Sequence, residues 1–585
     1  MNVRTALRFV ITGALFLLGG VVIIARLVSL QVGGPGEQIR EIEPLDGVEV
    51  AYLQPARGNI YDRDGYLLAG NQLIYEVSLE LNAVQNPISI ALAVSNVLGM
   101  DYSEVLRLAS QDPETVENTH ILLDYFVPYE QASRLIQLKE KTDAAVDPGS
   151  TPDGKKHSLR GLVISPRYDR SYPEGSLASN VLGIVLKDGS SVQGVEEKLQ
   201  MLLSGQERQT RVSANPYQAL NLPDTLHGAD LVLTIDREIQ AALEEVLDEH
   251  MGITGAKQGL IVVMDPRSGE ILGMANAPRM DLSGDWDVEV QKFSDDRSFN
   301  MALDSYEPGS VFKIITMAAA LDTGVVSPDT PFTDTGSLEV DGWTIRNWDG
   351  GAWGPQTMTT CMEHSLNVCL AWVATEKLGQ SRFYQYVRAF QFGTPTGIEL
   401  ANESSGYVRF DNHPDWHPID LATNSYGQGI MVTPLQMLRA VSALPNQGRM
   451  ITPHILKAVV SRSQQYEVTP QYAGQPISAE TAATLTEMLA TIVESESYTE
   501  MYPGYRVAGK TGTGTIYGTS LTNASFIGWG PVSDPRFMVY VWLHKPTTSP
   551  WASLMAAPVF VDVVERLVVL MDIPPDDVRI QLGAQ

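Results

Sequence analysis

Ser310 and Lys313 stand three residues apart in Glu307-Pro-Gly-Ser-Val-Phe-Lys313, at the head of an apolar run. A hydroxyl and an amine so spaced can act as nucleophile and base. Residues 311–321 are apolar on all sides except at Lys313, which predicts a helix buried in a domain interior. Pro308-Gly309 would start it and Gly324 would cap its end. Ser310 then falls in the first turn, where free N–H groups and the positive end of the helix dipole favour a developing anion. Residues i and i+3 share a helix face, so the two side chains can touch. Burial disfavours an ammonium and would lower the Lys313 pKa toward a neutral amine that accepts a proton. An arbitrary Ser-x-x-Lys is weak evidence, since most lysines snorkel to the surface. Here none of the other twelve lysines has a serine three residues upstream.

Two later segments could complete a site. Ser365-Leu366-Asn367 places a hydroxyl and a carboxamide two apart, able to point into a cleft from a turn between helices. Alone it is a common turn pattern. Lys510-Thr511-Gly512-Thr513 reads as part of a strand, with Lys510 and Gly512 on one face and Thr511 and Thr513 on the other. Gly512 leaves room for another backbone, and an exposed edge there could pair with an extended peptide.

The elements that must hold these groups lie in a chain of 585 residues, long enough for two or three full cores. Its formal net charge of −28 argues against a nucleic-acid partner. Residues 9–25 are uncharged and apolar, flanked by Arg4, Arg8 and Arg26, and Leu27, Val28 and Leu30 extend the run. That approaches the ~20 residues that span a bilayer. Ala25-Arg26-Leu27-Val28 is a poor cleavage site, so residues 1–32 are expected to be a cytoplasmic tail and transmembrane anchor rather than a cleaved signal. The remainder then lies outside the cytoplasm.

Residues 33–225 are expected to form a non-catalytic domain, because nothing in 35–225 pairs a nucleophile with a base. Residues 57–69 read as strand, Asp64-Gly65 turn and strand; residues 85–145 as short amphipathic helices joined by polar turns; and residues 146–160 as a turn-rich loop. Asp62 and Asp64 resemble the start of a calcium loop, but Leu73 stands where a bidentate Glu is required. Residues 226–585 form the second domain. It reads as a strand at 230–235, a helix capped by Asp236 and running to Met251, and a hairpin of 259–264 with 270–276. Strands at 505–515, 524–529 and 537–543 precede a closing helix at 559–571 with Pro558 in its first turn. Strands at both ends with helices between them predict an α/β domain, helices packed on an antiparallel sheet. Thr433-Pro-Leu-Gln436 is a capping box. His413-Pro-Asp-Trp-His417 lacks helical spacing and a third ligand, so no metal is expected. Cys361 and Cys369 would sit ~12 Å apart on an unbroken helix, so a bridge needs a break between them.

Ser310-x-x-Lys313, Ser365-x-Asn367 and Lys510-Thr511-Gly512, in this order and 55 and 145 residues apart, resemble the three motifs of the penicillin-binding proteins and serine β-lactamases. Arg57-Gly58 through Ala69, Arg170-Ser-Tyr-Pro-Glu-Gly-Ser-Leu-Ala178, Tyr426-Gly-Gln-Gly429 with Thr433-Pro-Leu-Gln436, and Ala524-Ser-Phe-Ile-Gly-Trp-Gly530 are similar to stretches of the class B penicillin-binding proteins, the monofunctional D,D-transpeptidases of division and elongation. The resemblance implies a transpeptidase domain with helices on both sides of an antiparallel sheet. An elongated α+β pedestal of dimerisation type and one transmembrane helix in a bacterial plasma membrane are implied with it. Ser310 would attack the penultimate D-Ala carbonyl of a peptidoglycan stem peptide, and Lys313 would take its proton. Ser365 would relay a proton to the departing D-Ala, and Asn367 would hold the substrate amide and Lys313. Lys510, Thr511 and Thr513, with Gly512 between them, would bind the terminal carboxylate, and the Ser310 and Thr513 N–H groups would form the oxyanion hole. Inhibition by β-lactams, a multi-spanning glycan-strand polymerase as membrane partner, and no cofactor are implied as well. Gly514-Thr515 depart from the Ala and Gln or Glu usual in the family, which predicts looser substrate contacts. Two competing readings are a D,D-carboxypeptidase or β-lactamase, which needs no such anchor and spacer, and a non-catalytic β-lactam sensor or scaffold, which needs no complete motif triplet.

Overall fold

The computed structural model describes residues 48–53, 55–145, 149, 151, 155–186, 188–205, 208–213, 227–284, 286–293, 297–462, 464–495, 503–516 and 518–583. The anchor expected in residues 1–32 lies outside the described residues, and no described helix is long and apolar enough to cross a membrane. The chain divides into two units. In the smaller, Val48–Leu53 pairs antiparallel with Arg208–Ser213. All that follows concerns the larger.

Its centre is an antiparallel sheet of five strands in the order Ile271–Ala277, Gln258–Met264, Phe537–His544, Thr522–Gly530, Ala508–Thr515. Alternation sends Ile261, Val263, Phe526, Val539 and Val541 toward the helices Arg237–Thr254 and Ala552–Leu570. Leu260, Val262, Ile527, Tyr540 and Trp542 share the opposite core with the helix that carries Lys313. Helices therefore cover both faces. This is why the strand sequences read as unbroken apolar runs instead of alternating ones. Ala508–Thr515 is the edge strand, as an accessible binding strand requires.

Local rules account for several boundaries. Asp236 accepts from the N–H groups of Glu238 and Ile239 and starts the helix, which ends three residues beyond the expected Met251, at a left-handed Gly255. Thr433 Oγ1 accepts from Gln436 N while Gln436 Oε1 accepts from Thr433 N, the expected capping box. The closing helix departs from expectation: it begins at Ala552, and Pro558 lies inside it. Its start is capped from outside, by Thr513 Oγ1 accepting from Ala552 N at 3.1 Å. The carbonyl that Pro558 leaves without a donor belongs to Leu554, which is 59% exposed and can be hydrated.

A second sheet runs in the order Gln464–Glu467, Leu456–Ser461, Asp230–Leu233, Ile60–Tyr61, Leu67–Glu80, His120–Val127, with Leu162–Ser171 also pairing to Leu67–Glu80. Ile60–Tyr61 pairs parallel with Asp230–Leu233, so the sheet continues across position 226. His120–Val127 is a strand where helices and turns were expected; its partner Leu67–Glu80 decides the conformation. Asp62 Oδ1 accepts from Asp64 N and Tyr66 N, so this carboxylate closes the hairpin turn. Arg57 and Arg170 both bind the fully buried Glu196, with Nε to oxygen distances of 2.6 Å each. The two guanidiniums compensate that carboxylate, and Arg170 also donates to Gly58 O at 2.8 Å, tying the start of the second sheet to this cluster.

Candidate active site

Ser310 lies in a 3-10 turn, Gly309–Phe312, and the α-helix begins only at Lys313 and ends at Asp322. The expected α-helical position of Ser310 is thus corrected, and the cause is a close approach of backbones. Gly309 N donates to Gly427 O at 3.0 Å, and a Cβ on Gly427 would stand 2.1 Å from Gly309 O. Tyr306, four residues before the nucleophile, exchanges backbone bonds of 3.0 Å with Val432 and stacks on Trp542 with centroids 4.0 Å apart. Glu307 Oε1 accepts from Gly429 N at 2.8 Å. Tyr426-Gly-Gln-Gly429 is therefore a brace for the nucleophile turn. Gly324 ends the helix as expected: it is left-handed, and Val325 N reaches back to Ala320 O at 3.2 Å.

Ser365 and Asn367 come from a break between the helices Met358–Glu363 and Asn367–Trp372. Ser365 has φ of 52°, and Leu366 N bonds to Cys361 O at 2.9 Å. The break brings Cys361 and Cys369 to a Cα separation of 6.2 Å, and they form a disulfide that brackets the turn. Closing so short a loop is worth roughly 2–3 kcal/mol. Cys361→Ser with Cys369→Ser is expected to lower the melting temperature by several degrees, checked by thermal unfolding, and to slow acylation of Ser310 because Ser365 loses its fixed φ.

On the edge strand, Thr511, Thr513 and Thr515 face the cleft while Lys510 is buried at 2% exposure, as alternation required. Lys510 Nζ nevertheless reaches Ser365 Oγ at 3.2 Å. The Thr513 hydroxyl is used on Ala552 N, a structural role not foreseen. Gly514 is buried, and a Cβ there would lie 2.8 Å from Glu307 O. Its missing side chain thus serves the packing of the nucleophile segment.

Lys313 is wholly buried. Its Nζ is 2.5 Å from Ser365 O, 2.8 Å from Asn367 Oδ1 and 3.2 Å from Ser365 Oγ. Burial, and secondarily the nearby Lys510 charge, push its pKa well below the ordinary lysine value. The partner set agrees: two partners are pure acceptors and use two N–H groups, and the third is a hydroxyl that can donate to a lone pair. A neutral amine satisfies all three. Among the described residues no hydrogen bond joins Lys313 to Ser310; the Lys313 hydrogen bonds go to the Ser365 turn and Asn367.

These groups open into one cleft of about 630 Å³, lined by Ser310, Ser365, Asn367, Thr511 and Thr513. Residues 259–565 match the penicillin binding protein transpeptidase domain, and residues 52–219 the penicillin-binding protein dimerisation domain. The chain belongs to the penicillin-binding proteins. It is 32% identical over 531 residues to stage V sporulation protein D of Bacillus subtilis, covering 87% of this chain and 77% of that one. It is 27% identical to the probable peptidoglycan D,D-transpeptidase PbpC of Pseudomonas aeruginosa, covering 98% and 97%. Among solved structures, penicillin binding protein 3 of Mycobacterium tuberculosis complexed with aztreonam aligns with a TM-score of 0.66 at 25% identity, covering 90% of this chain and 98% of that one.

This penicillin-binding protein also lines its cleft with groups that sequence reasoning missed: Trp348, Trp353, Trp551, Glu363 and His364. Trp348 meets Trp551 edge-on at 5.1 Å, and Trp353 stacks on His364 at 4.3 Å. A signal was present, since Trp343, Trp348 and Trp353 crowd the segment before Ser365, but nothing local aims them at the site. The His413 to His417 segment serves a helix start: His417 N donates to Asp420 Oδ2 at 2.8 Å.

Proposed function

We propose that this penicillin-binding protein is a serine D,D-transpeptidase that cross-links peptidoglycan stem peptides and is acylated by β-lactams. The observation that carries the reading is the buried Lys313 amine, held by Ser365 and Asn367 beneath the cleft that Ser310 lines. Lys313 and Lys510 both reach Ser365 Oγ, at 3.2 Å each, so this hydroxyl lies between the two amines and can exchange a proton with either. That position makes Ser365 a two-way relay. The Ser310 proton passes to Lys313 as Ser310 Oγ attacks the penultimate D-Ala carbonyl. The Ser310 and Thr513 N–H groups take the oxyanion, a contribution of about 3 kcal/mol per donor in other enzymes. When the C–N bond breaks, the proton returns through Ser365 to the leaving D-Ala amine. An acceptor amine then attacks the ester carbonyl, its proton passes to Ser310 as the C–O bond breaks, and a new amide remains. Lys510 and Thr511 receive the terminal carboxylate of the donor, and Asn367 its amide.

On this reading residues 1–32 anchor the protein in the plasma membrane, 33–225 form the pedestal, and 226–585 the extracytoplasmic transpeptidase domain. A multi-spanning glycan-strand polymerase is the membrane partner that supplies strands. Labelling with a fluorescent penicillin tests the core of the proposal. The wild type is expected to be labelled, with an adduct that persists for many minutes, and Ser310→Ala to show no labelling at an unchanged melting temperature. Labelling of Ser310→Ala at the wild-type rate would end the assignment.

A further inference from the structure

Glu363 is the one carboxylate that lines the cleft, and among the described residues it forms no ion pair or side-chain hydrogen bond. It is the last residue of the helix Met358–Glu363, where the negative end of the dipole disfavours a negative charge. Its neighbours are aromatic: Trp353 stacks on His364, and Trp348 Nε1 donates to His364 O at 3.1 Å, so both indoles are tied to the residue after Glu363. A carboxylate in a cleft that indoles also line suits an ammonium, by charge and by cation–π attraction. The opposite sign prevails deeper in the site, where the Lys510 ammonium lies buried and reaches Ser365 Oγ at 3.2 Å. The cleft thus carries separate places for an anion and for a cation.

We infer that Glu363, with Trp348 and Trp353, forms a subsite for the amine-bearing side chain of the acceptor strand, and that it selects an amine whose carbon carries no free carboxylate. This rests on the transpeptidase reading. A lysyl side chain presents only positive charge, whereas a diaminopimelyl side chain brings a carboxylate next to its amine, which Glu363 repels.

An N-acyl-D-alanyl thioester serves as donor, with two acceptor peptides that differ only in carrying a lysyl or a diaminopimelyl third residue. Product ratios give the acceptor KM, and thioester hydrolysis gives the donor step. The wild type is expected to use the lysyl peptide at a KM about fivefold below that of the diaminopimelyl peptide, the scale of one partly exposed ion pair. Glu363→Gln is expected to raise the lysyl KM about fivefold more than it changes thioester hydrolysis, and to abolish the preference; amidating the diaminopimelyl carboxylate should restore its use by the wild type. Equal use of both peptides by the wild type, or a preference that survives Glu363→Gln, overturns the subsite. A parallel loss of thioester hydrolysis and acceptor use in Glu363→Gln also overturns it, since Glu363 would then only hold the Ser365 turn. A wild type that the thioester never acylates sinks the transpeptidase reading itself.

Discussion

Lys313→Met is expected to slow acylation of Ser310 by a β-lactam about a thousandfold, within the range that a positioned general base contributes. Methionine fills the same buried volume but cannot accept the Ser310 proton. The wild-type rate should also fall as pH drops through the depressed pKa of Lys313, because only the neutral amine is a base. Stability carries the same signature. The folded state holds Lys313 neutral where the unfolded chain binds a proton, so stability rises with pH between the depressed pKa and the ordinary value of about 10.4. Below that window the amine is protonated in both states and the slope vanishes. Subtracting the melting temperatures of Lys313→Met from those of the wild type across pH isolates this slope. A rate loss under tenfold, or no difference in slope, would remove Lys313 from the role of base.

Gly427→Ala is expected to cost about 2–4 kcal/mol of stability and to lower acylation at least about a hundredfold. Two causes add. Gly427 has φ of 82°, which a side chain resists, and its Cβ would stand 2.1 Å from Gly309 O and 2.7 Å from Gly309 N. The backbone carrying Ser310 must move away, and a displacement near 1 Å misaligns the nucleophile. Gly99→Ala is the control: φ is 74°, but nothing lies within 4 Å of the added carbon. It should cost about 1–2 kcal/mol and leave acylation as it was. Thermal unfolding and penicillin labelling of both variants check the pair, and equal acylation in the two would show that the brace does not position Ser310.

Much of this was legible because it is local. The hairpins, the Asp236 cap, the Thr433 capping box and the Gly324 end each depend on residues within one turn of one another. The eight site residues could be named because Ser310-x-x-Lys313, Ser365-x-Asn367 and Lys510-Thr511-Gly512-Thr513 resemble the motifs of the penicillin-binding proteins. The alternation of Lys510 and Thr511 held because strand periodicity is local. Periodicity also identified the buried environment of Lys313, since a lone lysine in an apolar run has no wet side to reach.

What remained hidden was decided between segments far apart in the chain. Ser310 sits in a 3-10 turn because Gly427 approaches Gly309, more than a hundred residues away in sequence. The closing helix starts early because a threonine from the edge strand caps it. The Lys313 hydrogen bonds go to Ser365 and Asn367, and a disulfide holds the turn that makes this possible. Glu363 and the tryptophans become a rim only when three separate stretches meet at one cleft. Side-chain type and short-range spacing thus determined which atoms could react, since backbone periodicity is a local property. Their relative placement, and with it the route of the proton, came only with tertiary structure, because a hydrogen bond or a close approach between distant segments leaves no periodic trace in either one.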